Sequence, residues 1–364
     1  MSSDYDVAIV GGGPAGAVCA GICARAGLKT KVIERCVFPR EKVCGDCINP
    51  GCWRVIDSLG LRDAVLGLPH SVNRRIRYSY GDRASVEYHV DGGRGKCGIA
   101  VKRSAFDELL LGEAERAGAQ VEQGVAVTHS ERDGERWHVG YDGGGVTARW
   151  LVAADGRNSA VCRMNSVHPK SPRNRVALQT YANLTRDMVE CIGLKFLDRG
   201  YCGYTDVGDA VLNLCIVGKP ADIPALKSWA GENFELPPNP VWKTISPIER
   251  QTANSQVPGL LLVGDAGRVV EPFTGEGIRY AMESGLLAGR ALAAGGGFAE
   301  VARNYRGNWR QIYRNRLWVN KLARFAVKNR VLARAAIVYS CNYPAMLGRL
   351  TQKVCGNPVH CLAA

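Results

Sequence analysis

No acidic residue follows Glu300. Residues 301–364 carry twelve bases instead: Arg303, Arg306, Arg310, Arg314, Arg316, Lys321, Arg324, Lys328, Arg330, Arg334, Arg349 and Lys353. The whole chain of 364 residues has 47 Lys+Arg against 34 Asp+Glu, a formal charge of +13. Its first 300 residues therefore hold 35 bases against 34 acids and are close to neutral. Binding along a nucleic acid needs a basic footprint beyond one terminal segment, so no nucleic acid is expected as a partner.

Other absences narrow the class further. No run approaches the roughly 18 apolar residues of a membrane span. The opening MSSDYDVAIV lacks a basic stretch followed by an apolar one, so no secretory signal is read and a cytoplasmic protein is expected. Fourteen cysteines are present but dispersed, which points to reduced thiols rather than a disulfide framework. Cys44 and Cys47 form a C-x-x-C with Cys52 nearby. No second C-x-x-C or paired-histidine motif completes a zinc site, so no metal is expected. Low-complexity tracts are missing, and 46% hydrophobic residues suffice for a large buried core.

The most specific local signal lies at the start. Residues 6–10, DVAIV, have the look of a buried parallel strand. Gly11-Gly12-Gly13-Pro14-Ala15-Gly16 follows, a G-x-G-x-x-G that opens a small-residue helix to about residue 26. A second apolar strand over 29–33 ends at Glu34, with Arg35 beside it. Gly11 permits the tight turn, Gly13 lets the backbone approach a pyrophosphate, and Gly16 lets helix and sheet pack closely. Pro14 and Ala15 begin a helix whose free N–H groups and positive dipole end suit phosphates. Glu34 stands at the distance for adenosine ribose hydroxyls. Residues 93–98, GRGKCG, repeat the spacing without a following helix and read as a hairpin or loop.

Distant segments add to this. Residues 151–159, LVAADGRNS, run from an apolar strand into Asp155-Gly156. Residues 260–267, LLLVGDAG, end another strand in Gly264-Asp265. Residues 271–278, EPFTGEGI, open an apolar helix to about residue 294, and 99–107, IAVKRSAFD, contain Arg103. Singly, each Asp is a plausible turn or helix cap. Together and in this order, over roughly residues 5–290, they resemble the flavoprotein monooxygenase and geranylgeranyl reductase superfamily. That resemblance implies bound FAD and an α/β architecture. Its parts are a glutathione-reductase-type, Rossmann-like FAD domain, an inserted antiparallel β-sheet substrate domain and a C-terminal helical segment. It also implies that Asp265 bonds the ribityl chain, that Asp155 and Gly156 support the pyrophosphate region, and that Arg103 lies against pyrophosphate or ribose. Pro272, Gly275, Gly277 and Ile278 would then present a helix N-terminus to the flavin pyrimidine.

The segment 38–50, FPREKVCGDCINP, divides the superfamily. Geranylgeranyl and related isoprenoid or menaquinone reductases carry Lys-x-Cys-Gly here, matched by Lys42-Val43-Cys44-Gly45. Halogenases usually have Gly-Glu-Ser, and a Trp-x-Trp-x-Ile-Pro segment that this chain lacks. Gly45 would let the backbone pass the isoalloxazine ring. Cys44 and Asp46 are candidates for a proton path, Cys44 being equally readable as an inert buried thiol. One departure stands out: the reductases' Tyr-x-Trp-x-Phe-Pro strand is replaced by GYCGYTDV over 200–207.

The leading expectation is an FAD-dependent oxidoreductase that reduces a C=C bond in a hydrophobic isoprenoid or polyketide-like substrate. The alternative is a monooxygenase that hydroxylates an aromatic or polyketide substrate with oxygen held at flavin C4a. A halogenase or a non-catalytic flavin-binding protein ranks lower. No second nucleotide-binding unit appears, so electrons would come from NAD(P)H visiting transiently or from a separate reductase. Residues 1–70, 98–165 and 255–300 are expected to form the FAD domain, and 71–97 and 166–254 the β-rich substrate domain. Residues 301–364 are read as a basic segment, helical from about 303 to 339. Arg310, Arg314, Lys321, Arg324 and Lys328 share a wedge of roughly 80°, beside an apolar sector of Trp318, Leu322, Phe325 and Ala326. Three uses compete for it: a solvated face on the body, a platform for an anionic membrane surface, or a dock for an acidic carrier protein or anionic substrate.

Overall fold

The computed structural model describes residues 3–92, 97–167, 175–314, 317–355 and 359–362. Most of the second glycine match at 93–98 lies outside them. The strand Ser3–Val10 sits inside a seven-stranded sheet, between parallel neighbours Thr30–Glu34 and Gly144–Ala153. Val7 and Ile9 pack against helices on one face; Ala8 and Val10 meet Trp137 and Val161 on the other. Both faces are covered, which is why DVAIV reads as an unbroken apolar run rather than an alternating one.

Gln120–Gln123 extends the sheet beyond Thr30–Glu34, and Leu260–Leu262 pairs parallel with Gly144–Ala153. Arg136–Tyr141 and Val127–Asp133 complete it as an antiparallel hairpin. The register sets Val10 opposite Ala153, and Ala153 opposite Leu262. Three strands therefore end at one edge, where the turns at Gly11, Asp155 and Gly264 become neighbours. Such an edge, at the carboxyl ends of parallel strands, is where open α/β sheets bind ligands.

Helix Pro14–Arg25 packs on Gly277–Ala293, and Gly285 makes the contact possible. A Cβ on Gly285 would lie 2.2 Å from the Ala15 carbonyl oxygen. The small residues at the start of the first helix are thus a packing requirement as much as a ligand-binding one.

A second, eight-stranded sheet runs in the order Lys243–Ile245, Val176–Asn183, Val211–Gly218, Gly200–Asp206, Cys191–Leu197, Arg75–Tyr80, Ala84–Val90 and Val359–Leu362. Its pairs are antiparallel except Cys191–Leu197 with Arg75–Tyr80, which is parallel. Three short strands, Cys47–Ile48, Ile99–Ala100 and Ser71–Val72, form a further small sheet.

The C-terminal segment differs from the single helix expected over 303–339. It forms helices Phe298–Arg314, Leu317–Lys328, Arg330–Asn342 and Ala345–Cys355. One break has a clear cause: Asn329 is extended, and its side chain accepts the Leu332 amide N–H at 3.2 Å, starting a new helix. The last strand then joins the edge of the second sheet.

Candidate active site

The glycine-rich turn is built by exclusion of side chains. Gly11 has φ +106°, and a Cβ there would lie 2.5 Å from the Ala154 carbonyl oxygen. A Cβ on Gly16 would lie 1.9 Å from the Gly11 carbonyl oxygen. Gly13 precedes the helix without a side-chain cap, and Gly13, Pro14 and Ala15 line a cavity of about 770 Å³. The first-turn amides are thereby left for a ligand.

Cations gather at this helix end. Arg40 lies beside Gly13 and pairs with Asp107 at 2.9 Å. Arg103 holds the same buried carboxylate through two bonds, 2.6 and 2.5 Å long, and Arg157 lies 3.0 Å from Asp265. Lys42 reaches toward Gly156, whose φ is +81°. Burial, with Arg103 and Arg40 close by, lowers Lys42 to about 8. The cluster carries unbalanced positive charge around bare helix amides, which fits a diphosphate.

Of the residues expected from sequence, Gly13, Pro14, Ala15, Cys44, Gly45, Arg103, Gly156, Gly264, Asp265, Pro272, Gly275, Gly277 and Ile278 line this same cavity. Gly275 has φ +63° and ends a short turn, and the helix Gly277–Ala293 starts two residues later. Gly264 has φ +57°, and a Cβ there would meet Ala15 at 3.1 Å. Gly11 and Gly16 stand behind the wall as packing residues.

Three further cofactor-binding candidates are not on the wall. Glu34 is buried beside the turn, where its carboxylate accepts the amides of Gly12 at 2.6 Å and Cys36 at 2.9 Å. Asp155 turns to the helix Ala160–Met164 and accepts the Ala160 and Val161 amides at 2.6 and 3.2 Å. Arg35 is exposed, and it is Arg40, five residues on, that reaches the glycine turn.

The two proton-path candidates part company. Cys44 faces the cavity; burial pushes its thiol up, although the adjacent Arg103 works the other way. Asp46 has no exposed surface and points away, into the second sheet. Tyr201, within the GYCGYTDV segment, lines the cavity with its ring, and its buried hydroxyl meets no protein partner among the described residues. Arg40, Lys42 and Arg157 had a signal available, since they flank the Cys-Gly and Asp-Gly motifs. Tyr181 and Asn213, described below, had none.

The fold and this diphosphate cradle define a nucleotide-cofactor-dependent flavoprotein class. The chain belongs to the FAD binding domain family, whose model matches residues 4–185, and is an FAD-dependent oxidoreductase. It is 28% identical over 317 residues to the digeranylgeranylglycerophospholipid reductase of Methanocella arvoryzae, covering 80% of this chain and 78% of the relative. Identity to the menaquinone reductase of Mycobacterium tuberculosis is 28% over 319 residues, covering 80% and 77%. A solved structure of the flavin-dependent brominase Bmp2, as a triple mutant, superimposes with a TM-score of 0.78 at 21% identity, covering 96% and 95%. That last likeness concerns the fold alone.

Proposed function

We propose that this protein uses reduced FAD to saturate a C=C bond in a hydrophobic, isoprenoid-like lipid. The observation that carries the reading is the continuity of the cavity. One apolar space runs from Ala15, Cys44 and Gly275 to Leu322, Phe325, Leu332, Met346 and Leu350 on the C-terminal helices. A long hydrocarbon chain lying in it would have one part near the flavin and the rest among apolar side chains. The two reductase relatives, whose names denote a prenyl lipid and a prenylated quinone, support the same substrate class.

When bound, FAD supplies the hydride. The chain contributes position and dryness: Tyr201, Phe196 and Phe273 stack around one another on the wall, with ring centroids 5.2–6.5 Å apart. Cys44, kept as a thiol by its burial, is a protonated group facing that space.

The cavity's outer end is where the lipid would enter. Among the described residues, nine of thirteen large exposed apolar side chains lie between Trp318 and Met346, Phe325 at 58% exposure. Arg330, Arg334, Arg349 and Lys353 are exposed in the same segment, which holds no acid. This combination suits peripheral attachment to an anionic membrane surface, with the mouth facing the lipid.

The test is anaerobic. Photoreduced holoenzyme mixed with a geranylgeranyl lipid should reoxidise its flavin without oxygen and give a product heavier by two hydrogens. Reoxidation only on admitting oxygen, with oxygen found in the product, would establish the monooxygenase reading instead.

A further inference from the structure

We propose that Glu41, Tyr181 and Asp46 form a proton relay from solvent to the loop carrying Cys44, with Asp46 as its buried inner acid. The proposal rests on the reductive reading, because saturating a C=C bond consumes a proton as well as a hydride.

The geometry is that of one hydroxyl between two carboxyls. The Tyr181 hydroxyl lies 3.0 Å from Asp46 Oδ2 and 3.2 Å from Glu41 Oε2. A phenol has a single proton, so it donates to one carboxyl and satisfies the other only by accepting. Both contacts form together when one of the two carboxyls is protonated. That is the arrangement in which a proton entering at one end displaces another at the far end.

Both sides are built for it. Tyr181 and Asn213 stand opposite each other on antiparallel strands, so their side chains share a face. Asn213 donates to Asp46 Oδ2 at 2.6 Å and to the Cys44 carbonyl at 3.0 Å, tying the acid to the cavity-wall loop. Asp46 is held at φ +56°, and its Oδ1 is buried without a partner, free to carry the outgoing proton. Glu41 faces solvent, with Lys243 at 3.8 Å.

The charged and titratable surroundings of Asp46 are Arg103, Glu41, Tyr181 and the Cys44 and Cys215 thiols. Lys102 lies 5.4 Å over the Tyr181 ring. Burial raises Asp46 to about 7, against the lowering effect of Asn213, Arg103 and Tyr181, so it exchanges a proton at neutral pH.

Per turnover, Asp46 gives its Oδ1 proton to the Cys44 side of the loop, restoring a thiol that has just protonated the substrate carbon. Tyr181 passes its hydroxyl proton to Asp46 and takes one from Glu41, which recovers one from water. The net supply is one proton from solvent, matching the one hydride from the cofactor.

The experiment uses FAD-loaded protein without substrate. Infrared titration of the wild type should show a carboxylic C=O band lost with a midpoint near 7 and missing from Asp46→Asn. In a stopped-flow pH jump, Tyr181→Phe, with unchanged flavin spectrum and melting temperature, should re-protonate this group at least tenfold more slowly. Glu41→Gln should slow it in the same direction. A wild-type rate in Tyr181→Phe, or no Asp46-dependent band, would overturn the relay. Neither readout involves an alkene, so failure of lipid reduction and failure of the relay are told apart.

Discussion

Lys328 Nζ lies 2.6 Å from Glu249 Oε1, joining the basic C-terminal segment to the loop that follows the edge strand Lys243–Ile245. Arg324 reaches the same carboxylate at 3.4 Å and Glu271 at 3.7 Å, and Arg175 bonds Glu271 at 2.9 Å. Asn320 accepts the Glu271 amide and donates to Glu276. Two cations that a helical wheel assigns to a surface wedge thus face inward. They clamp the helix Leu317–Lys328 over the cavity, next to the turn Pro272–Thr274 that precedes Gly277. Although burial works the other way, Lys328, Arg175 and Arg324 hold the Glu249 carboxyl below its ordinary range.

Replacing Glu249 by Gln should loosen that clamp. Three cations would lose their shared partner, at a cost of about 2 kcal/mol, less than a fully buried pair because Lys328 is partly exposed. The expected signs are a lower melting temperature and faster tryptic cleavage near Lys328 and Arg330. Unchanged cleavage would mean that the helix is held by its apolar contacts alone.

The glycine turn predicts a contrast within one helix. Gly16→Ala places a Cβ where the Gly11 carbonyl oxygen already sits and should yield protein without flavin absorbance. Gly21→Ala meets Ala114 only at 3.7 Å, an ordinary contact, and should keep the flavin. It should also stabilise the helix by roughly 0.5–1 kcal/mol, since alanine orders the chain at lower entropic cost.

Lys42 links cofactor affinity to pH. A diphosphate favours the protonated ammonium, while burial, Arg103 and Arg40 lower that group to about 8. Affinity for FAD should therefore be full below about pH 7 and weaken as pH rises through about 8. Lys42→Met should bind FAD roughly tenfold more weakly and lose that pH dependence. Titration of apoprotein with FAD, followed by flavin fluorescence, measures both.

Asp46 should leave its mark on stability. The folded protein binds its proton up to about 7, the unfolded chain only to the ordinary 3.8. Between these values the native state holds more protons, so this contribution falls as pH rises. From about pH 6 to about pH 8 the loss should be about 1 kcal/mol, and Asp46→Asn should abolish it. Urea unfolding at the two pH values decides; parallel behaviour of both proteins would assign the pH dependence elsewhere.

Membrane attachment predicts an effect of a negative charge introduced at the cavity mouth. Phe325→Glu should lower flotation with phosphatidylglycerol-containing vesicles severalfold while leaving bound flavin unchanged. High salt should weaken the wild type's flotation too, since surface attraction is screened. Equal recovery with neutral and anionic vesicles would remove the membrane reading.

The sequence by itself determined the glycine-rich turn and its strand–turn–helix setting. Those features are local: a positive φ at Gly11, a close approach at Gly16, a helix beginning at Pro14. Each is a constraint on consecutive backbone atoms, so it is written in consecutive residues. The Asp-Gly and Gly-Asp turns were legible for the same reason, although only the register brings Asp155 and Asp265 to one edge. It also showed that Asp155 serves its neighbouring helix.

Tertiary structure alone decided the rest. Tyr181 and Asn213 carry no motif, and they reach Asp46 because two strands pair in one register rather than the next. The charge of residues 301–364 was plain from the sequence, but its direction was not. Carboxylates from the first 300 residues draw Arg324 and Lys328 inward, while Arg330, Arg334, Arg349 and Lys353 stay exposed. Helical periodicity gives the faces of a helix; which face meets buried acids depends on distant segments packed against it.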